Sequence, residues 1–290
     1  MRRSRLTILT AMAAVGLMAA ATAGTVAQEP IAIDAAAASI SVDGDASDWA
    51  AIAPTTITLE QIRLDGLPPE QAEEIEIGPV DPIDVQLRVA NDGDNLYLLL
   101  EVPTAFDYVA DDHGLSPALA MQAKIVPEAS THMGAEDSDL IVSTGMVDIW
   151  HWELDCGPGE LSGGGATTEG VVAGGDDGDA ATNCNLDDEY STTPEMREDD
   201  GGGDEPNEAA QNSLLGSWSH TGGEVGADGT WIFEMARPLQ TGDPQDAQWE
   251  AGGIAELALA WWNPNETLDG WTDAGHLTSA YSGWIVVTLS

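Results

Sequence analysis

The feature that most constrains the fold is a pair of alternating apolar runs on either side of a tight turn. The stretch IDVQLRVANDGDNLYLLLEVP, residues 83–103, alternates apolar and polar side chains before and after Asn91-Asp92-Gly93-Asp94. Asn, Asp and Gly tolerate the backbone conformations that tight β-turns require, so this stretch predicts a β-hairpin. It is the strongest local structural signal in the chain.

Further strands are predicted at regular intervals, separated by Gly, Pro and Asp. They cover residues 116–126, 147–154, 229–239, 252–262 and 282–289. Helical periodicity is scarce, and we expect only one or two helical turns near 59–63. Short strands with this spacing predict an all-β fold, an antiparallel β-sandwich of two sheets with immunoglobulin-like or jelly-roll-like architecture.

The strand VDIWHWEL, residues 147–154, shows which side chains share a face. Side chains alternate between the two faces of a strand, so Val147, Ile149 and His151 are expected on one side. Trp150 and Trp152 are expected on the other side, first of all as core aromatics.

The termini and one internal stretch define the domain organisation. Residues 1–27 have a basic start, an apolar middle and small residues up to Ala27, which is typical of an export signal. Residues 28–290 are predicted to form one domain located outside the cytoplasm, without a membrane span. Residues 155–212, rich in Gly, Asp and Glu, are predicted to be a flexible acidic insertion. Because export permits disulfides, Cys156 and Cys184 are expected to form one within it.

The charge balance excludes several classes of partner. The chain has 51 acidic and 8 basic residues, for a formal net charge of −43. Such a charge repels nucleic acids and anionic membrane surfaces. Acidic residues spread along the whole chain, with Lys124 as the only lysine, indicate adaptation to high salt, where ions screen the self-repulsion.

Motifs of the common enzyme classes are absent from the sequence, including nucleophile elbows, zinc-protease motifs and phosphate loops. The side chains that attract attention are instead a methionine and a histidine in two loops that precede strands. Met133 lies in STHMGAED, and His276 ends GWTDAGH. Thioether and imidazole are ligands of haem iron, so both are candidate metal ligands.

Several segments occur in an order typical of one family. They are VDGDASDWA, SPALAMQAKI, HMG followed by VDIWHW, GTWIFEMARPL, AELALAWWN and SGWIVVTL. Together they resemble the haem-binding γ subunit of ethylbenzene dehydrogenase and related subunits of molybdoenzymes in the dimethyl-sulfoxide-reductase family. The resemblance implies a β-sandwich that holds one non-covalent haem b and transfers electrons without catalysing a reaction itself. Its implied partners are catalytic molybdenum and iron–sulfur subunits or a soluble redox carrier.

The resemblance also implies the ligand set. The family's axial methionine corresponds to Met133, and the family's axial lysine falls near His276, where this chain has no lysine. Met133 and His276 are therefore the expected ligands, with His132, His151 and Lys124 as competitors.

A second reading stays open beside the first. The stretch SVDGDASDW is also similar to the opening of family-9-like carbohydrate-binding modules, which share the sandwich architecture. Tryptophan side chains on such a module would stack on sugar rings. Fold alone does not separate a haem-binding subunit from a sugar-binding module.

Overall fold

The computed structural model describes residues 30–62, 79–109, 113–131, 145–154, 158, 162–163, 185–191, 213–266, 270 and 275–290. Its strands, in chain order, are β1 (Ala32–Asp34), β2 (Ala36–Ala37), β3 (Thr55–Gln61), β4 (Ile83–Asn91), β5 (Asn95–Val102), β6 (Ala118–Lys124), β7 (Val147–Glu153), β8 (Ser162–Gly163), β9 (Asn185–Ser191), β10 (Leu215–His220), β11 (Trp231–Pro238), β12 (Ile254–Trp262), β13 (Leu277–Thr278) and β14 (Ile285–Thr288). Short 3-10 turns occur at Ala46–Trp49, His113–Leu115 and Ala280–Ser282. The described residues contain no α-helix, and among them no helix is long and apolar enough to cross a membrane.

The strands form two layers, which confirms the predicted β-sandwich. The first sheet has the order β8-β10-β11-β5-β4-β3, and β2 adds to β4 in parallel. The second sheet has the order β13-β12-β6-β7-β9. Strand β14 also pairs with β12, and β1 runs parallel to β14. Strand β3 pairs with both β4 and β13, so it joins the two layers along one edge.

Two local expectations near the N-terminal half have opposite outcomes. The predicted hairpin is confirmed, with β4 and β5 paired antiparallel around Asp92 and Gly93. The helical turn expected near 59–63 is wrong, because residues up to Gln61 belong to β3. The segment Thr55–Gln61 contains β-branched residues, and β4 and β13 supply the backbone partners that fix it as a strand.

The core lies between the layers and is rich in aromatic side chains. Strand β7 alternates as predicted, with Trp150 and Trp152 buried in the core between the sheets and Ile149 in the cluster on the outer face. The ring of Trp152 meets Phe233 of the first sheet edge-on at 5.6 Å. Trp261 meets the same phenyl ring at 5.6 Å. These contacts across the interface fix the spacing of the layers.

Part of the predicted insertion 155–212 contributes to the sheets. Strand β9 pairs antiparallel with β7, and β8 pairs with β10. Cys156 and Cys184 lie outside the described residues, as do residues 1–27, so the disulfide and the export signal stay predictions.

Candidate functional site

The outer face of the second sheet carries small side chains where its central strands meet. Ala260 of β12 stands between Ala120 of β6 and Thr278 of β13. One rung further along, Ala258 stands opposite Gln122. Because alanine side chains end at Cβ, this face has a depression where larger residues would form a flat surface.

The depression is a groove of about 380 Å³, part of it open to solvent. Alanines form much of its floor, and an indole, an imidazole, an amide and hydroxyl groups surround them. The residues that line the groove are Ala120, Gln122, Thr131, Ile149, Ala258, Leu259, Ala260, Trp262, His276 and Thr278. An apolar floor with a few polar groups around it is the usual composition of a small-molecule site.

Trp262 and His276 form one end of the groove. Their ring centroids lie 4.8 Å apart with the planes tilted by 40°. His151 packs on the same indole from β7, with centroids 5.4 Å apart, but it does not line the groove. The backbone carbonyl of His276 accepts a hydrogen bond from Ile62 N at 3.3 Å, which ties this end to β3.

Hydrogen bonds at Ala280 hold the hydroxyl-bearing part of the groove. The Thr131 hydroxyl donates to the Ala280 carbonyl at 3.0 Å, which links the segment after β6 to the segment after β13. Ala280 N donates to the Thr278 hydroxyl oxygen, also at 3.0 Å. Both threonines therefore keep fixed positions on the groove wall.

The predicted ligand residues do not all fall within the described chain. His276 is buried, with 6% of its surface exposed, and its ring lines the groove. Met133 and the competitor His132 lie outside the described residues, so the structure does not test the pairing of Met133 with His276. Lys124, the third competitor, donates to Glu256 at 3.2 Å and lies 5.6 Å from the ring centroid of Trp284.

Sequence reasoning found His276 but missed most of the groove. Gln122, Ala258 and Ala260 carry no motif of their own. The available signal was the alternation in AELALAWW, where the small outward residues Ala258 and Ala260 lead to the outward Trp262. Recognising the floor also required knowing that β12 pairs with β6, which brings a second set of alanines alongside.

Comparisons with known proteins give only distant similarities. No protein-family model and no curated protein matches the chain. Among solved structures, a candidate carbohydrate-binding protein from Bacteroides uniformis ATCC 8492 is similar over 91% of this chain and 100% of its own, with 8% identity and a TM-score of 0.43. A family 9 carbohydrate-binding module from Caldicellulosiruptor kristjanssonii in complex with glucose covers 90% and 96%, with 9% identity and a TM-score of 0.42. The same module with cellotriose gives a TM-score of 0.39.

These findings correct the predicted family and cofactor. The similar structures named here are carbohydrate-binding proteins rather than haem-binding subunits, so the predicted relationship to the γ subunit and its haem b is wrong. In the described ranges, no group of three or more His, Cys, Asp or Glu residues could hold a metal ion. The ring of His276 packs against Trp262 as part of the groove wall. With identities of 8–9%, the function has to be inferred from the groove itself.

Proposed function

We propose that this chain is a carbohydrate-binding module that holds a neutral sugar in the groove on its second sheet. The observation that carries the proposal is the composition of the groove, in which aromatic rings and polar groups surround a floor of small apolar side chains. A sugar ring has the matching properties, with apolar C–H faces and hydroxyl groups at its edge.

The apolar part of the recognition belongs to the floor and to Trp262. A pyranose ring resting on Ala120 and Ala260 would remove apolar surface from water on both partners. The Trp262 indole at the end of the groove offers the electron-rich surface against which C–H groups pack. Its position is held by His151 and His276, so little ordering is needed when a ligand binds.

The polar part belongs to Gln122, Thr131, Thr278 and His276. A carboxamide offers two donors and an acceptor. The Thr131 hydroxyl already donates its hydrogen to the Ala280 carbonyl and can still accept, whereas the Thr278 hydroxyl accepts from Ala280 N and can still donate. Sugar hydroxyls lose water when they enter a groove, so partners of both kinds are needed to replace it. These side chains surround the alanine floor and supply such partners.

The charge of the chain favours an uncharged ligand. A formal net charge of −43 creates a negative field that repels acidic sugars. The groups that line the groove bind and orient a sugar, and the proposal is one of binding without catalysis. It includes no electron-transfer partner, and it places the protein outside the cytoplasm on the strength of the signal-like residues 1–27.

The test fills the groove without removing any contact. Ala260→Leu adds three carbon atoms above the floor, and Ala51→Leu makes the same change at an exposed position away from it. Calorimetric titration in concentrated salt with glucose, cellotriose and other neutral oligosaccharides should show binding to the unmodified chain and to Ala51→Leu. Ala260→Leu should lose at least roughly tenfold in affinity, or about 1.4 kcal/mol. Equal binding by both variants would place the sugar elsewhere, and no binding to any neutral sugar would refute the function.

A further inference from the structure

The turn that follows β12 presents an asparagine side chain to solvent. Residues 263–266 form a β-turn, in which Glu266 N donates to the Asn263 carbonyl at 2.9 Å. Pro264 takes the second position of this turn, where its fixed φ is favoured. Asn265 takes the third position, and its backbone N donates to the Asn263 side-chain oxygen at 2.9 Å. Asn265 is exposed, whereas Pro264 and Glu266 on either side of it are buried.

The exposed asparagine begins a modification motif. Asn265-Glu266-Thr267 has the form Asn-x-Ser/Thr, with x other than proline, which marks acceptors of N-linked glycans in exported proteins. No other asparagine of the chain is followed two positions later by Ser or Thr. In the part of the chain that the structure describes, the asparagines that are at least partly buried are Asn91, Asn95 and Asn263. The motif therefore coincides with a position where a bulky group stays in solvent.

The carboxamide nitrogen of Asn265 can accept a sugar without losing its contact with the fold. Nδ2 donates to Asp107 Oδ2, in the segment that follows β5. A carboxamide nitrogen carries two hydrogens, and this bond uses one of them. An N-glycosidic bond replaces the other hydrogen and leaves the first for Asp107. The carboxamide is thus held in place by Asp107 while its nitrogen stays at the surface.

We propose that Asn265 is a glycosylation site and carries an N-linked oligosaccharide when the chain is exported. The donor would be an oligosaccharide joined through C1 of its first sugar to the phosphate of a membrane lipid. Asn265 Nδ2 forms a bond to C1 while the bond between C1 and the phosphate oxygen breaks. The lipid phosphate leaves with the bonding electron pair, and Nδ2 gives one proton to a base of the transferase. No atom is oxidised or reduced.

The glycosylation site is separate from the sugar-binding groove. Asn265 does not line the groove, although it follows Trp262, which does, by three residues. The glycan is attached by a covalent bond, whereas the groove would hold a sugar by contacts alone. The proposal depends on the predicted export of the chain, because N-linked glycans belong to surface loops of exported proteins, and it does not depend on sugar binding.

The experiment locates covalently bound sugar by mass spectrometry. The full-length product is purified from the cells that make it naturally and is denatured, which releases any sugar held in the groove without a bond. Cleavage by chymotrypsin after Trp262 and Trp271 then yields the peptide 263–271. We expect this peptide to be heavier than its sequence by the mass of whole sugar residues, with fragmentation placing the added mass on Asn265 and not on Asn263. The N-terminal peptide of the same digest shows whether residues 1–27 have been removed.

Three variants assign the added mass to the motif. Asn265→Gln removes the acceptor but keeps a carboxamide, and the added mass should disappear. Thr267→Val removes the hydroxyl that the motif requires and leaves Asn265 and Asp107 unchanged, so the added mass should disappear here too. Thr267→Ser is the matched control, because it preserves the motif and should keep the added mass.

Two results would overturn the site. The peptide 263–271 could have the mass of its sequence alone, whether or not residues 1–27 have been removed. Alternatively, the added mass could persist in Asn265→Gln or in Thr267→Val, which would mean that it is carried by another residue or attached without regard to the motif.

Discussion

The outer faces of the two sheets differ in whether another part of the chain packs on them. On the first sheet, Ile40 and Trp49 of the N-terminal segment cover the outward side chains, which are Ala90, Leu99 and Ile232. On the second sheet, the outward alanines lie beneath an open groove. Both faces therefore carry small or apolar side chains, and they differ in whether another part of the chain packs on them. The covered face is a second small core, and the open face keeps space for a ligand.

The segment that covers the first sheet, residues 40–49, is called the cover, and a buried carboxylate holds it in place. Glu234 of β11 accepts hydrogen bonds from Asp43 N at 3.0 Å, Gly44 N at 2.6 Å and Trp49 Nε1 at 2.7 Å. The stretch VDGDASDW, which resembles two different families, therefore anchors the cover to the first sheet by hydrogen bonds to Glu234. Because it reports the fold and not the ligand, it could not separate a haem-binding subunit from a sugar-binding module.

The largest expected effect on stability comes from disrupting the hydrogen bonds to Glu234. In Glu234→Gln, one carboxylate oxygen becomes an NH₂ group that must face N–H donors, which leaves buried donors unsatisfied. We expect a loss of about 2–3 kcal/mol in the free energy of unfolding, measured by chemical denaturation in concentrated salt. The matched change Glu224→Gln, at an exposed position, should cost almost nothing. A loss no larger than that of the control would show that the cover is held by apolar packing alone.

A smaller effect is expected at Gly44, where the cover lies close to β10. Gly44 has φ +79°, and a Cβ there would lie 3.1 Å from both the Trp218 carbonyl oxygen and Ser217 Oγ. Gly93 in the β4–β5 hairpin also has a positive φ, +92°, but a Cβ there would meet nothing within 4 Å.

Substituting alanine at the two glycines separates conformational strain from close packing. Gly93→Ala should lose about 1 kcal/mol of stability for the left-handed backbone alone. Gly44→Ala should lose roughly 2 kcal/mol or more, because the Cβ also presses on the β10 backbone. Both losses are measured as shifts of the denaturation midpoint. Equal losses would mean that the cover shifts freely to accept the methyl group.

The open face is tested through its two histidines. His276 and His151 both pack on Trp262, but only His276 lines the groove. His276→Leu should lower the affinity for a neutral oligosaccharide roughly tenfold, about 1.4 kcal/mol, because a polar partner of the sugar is lost. His151→Leu should lower it far less, and calorimetric titration compares the two. Equal losses would indicate that Trp262 alone, and not the imidazole in the groove, determines binding.

The fold could be predicted further from the sequence than the site could. Alternation and turn residues carry local information, so the β4–β5 hairpin and the two faces of β7 were predicted correctly. Strand β3 was missed although Thr55–Gln61 contains β-branched residues, because the strands that pair with it, β4 and β13, lie elsewhere in the chain. The pairing of Asp148 with Arg237 spans 89 residues and leaves no local trace.

The groove was even harder to predict from local sequence than these pairings were. His276 attracted attention as a rare residue type, whereas alanines in a strand are common and acquire meaning only from their neighbours. Ala120 and Ala260 form one floor because β6 and β12 are adjacent, and that adjacency is a property of the whole fold. The prediction of haem is wrong, and the position of His276 alone could not establish it, because an imidazole in a loop fits several chemistries.

The smallest expected effect concerns a second carboxylate beside the covered face, in the β4–β5 turn. Asp92 accepts from Asn95 N at 2.8 Å, Asp94 N at 3.0 Å and the Tyr97 hydroxyl at 2.6 Å, and Tyr97 packs within the covered face. Burial raises the pKa of Asp92, but these hydrogen bonds outweigh it and hold the pKa at about 2, below the usual 3.8. Since the folded pKa is depressed, the stabilisation is fully present above pH 3.8 and is lost as the pH falls towards 2.

Asp92→Asn should therefore cost less than about 1 kcal/mol at neutral pH, because the site is exposed and solvent screens the charge. The amide keeps one acceptor oxygen but does not titrate, so the difference in unfolding free energy from the unmodified chain should shrink as the pH falls from 3.8 towards 2. Denaturation in concentrated salt at neutral pH and at the acid end of this range measures it, with the exposed Asp34→Asn as the control. If this difference in unfolding free energy stayed constant between pH 3.8 and 2, the charge of Asp92 would not contribute to the stability of the turn, and its hydrogen bonds alone would stabilise it.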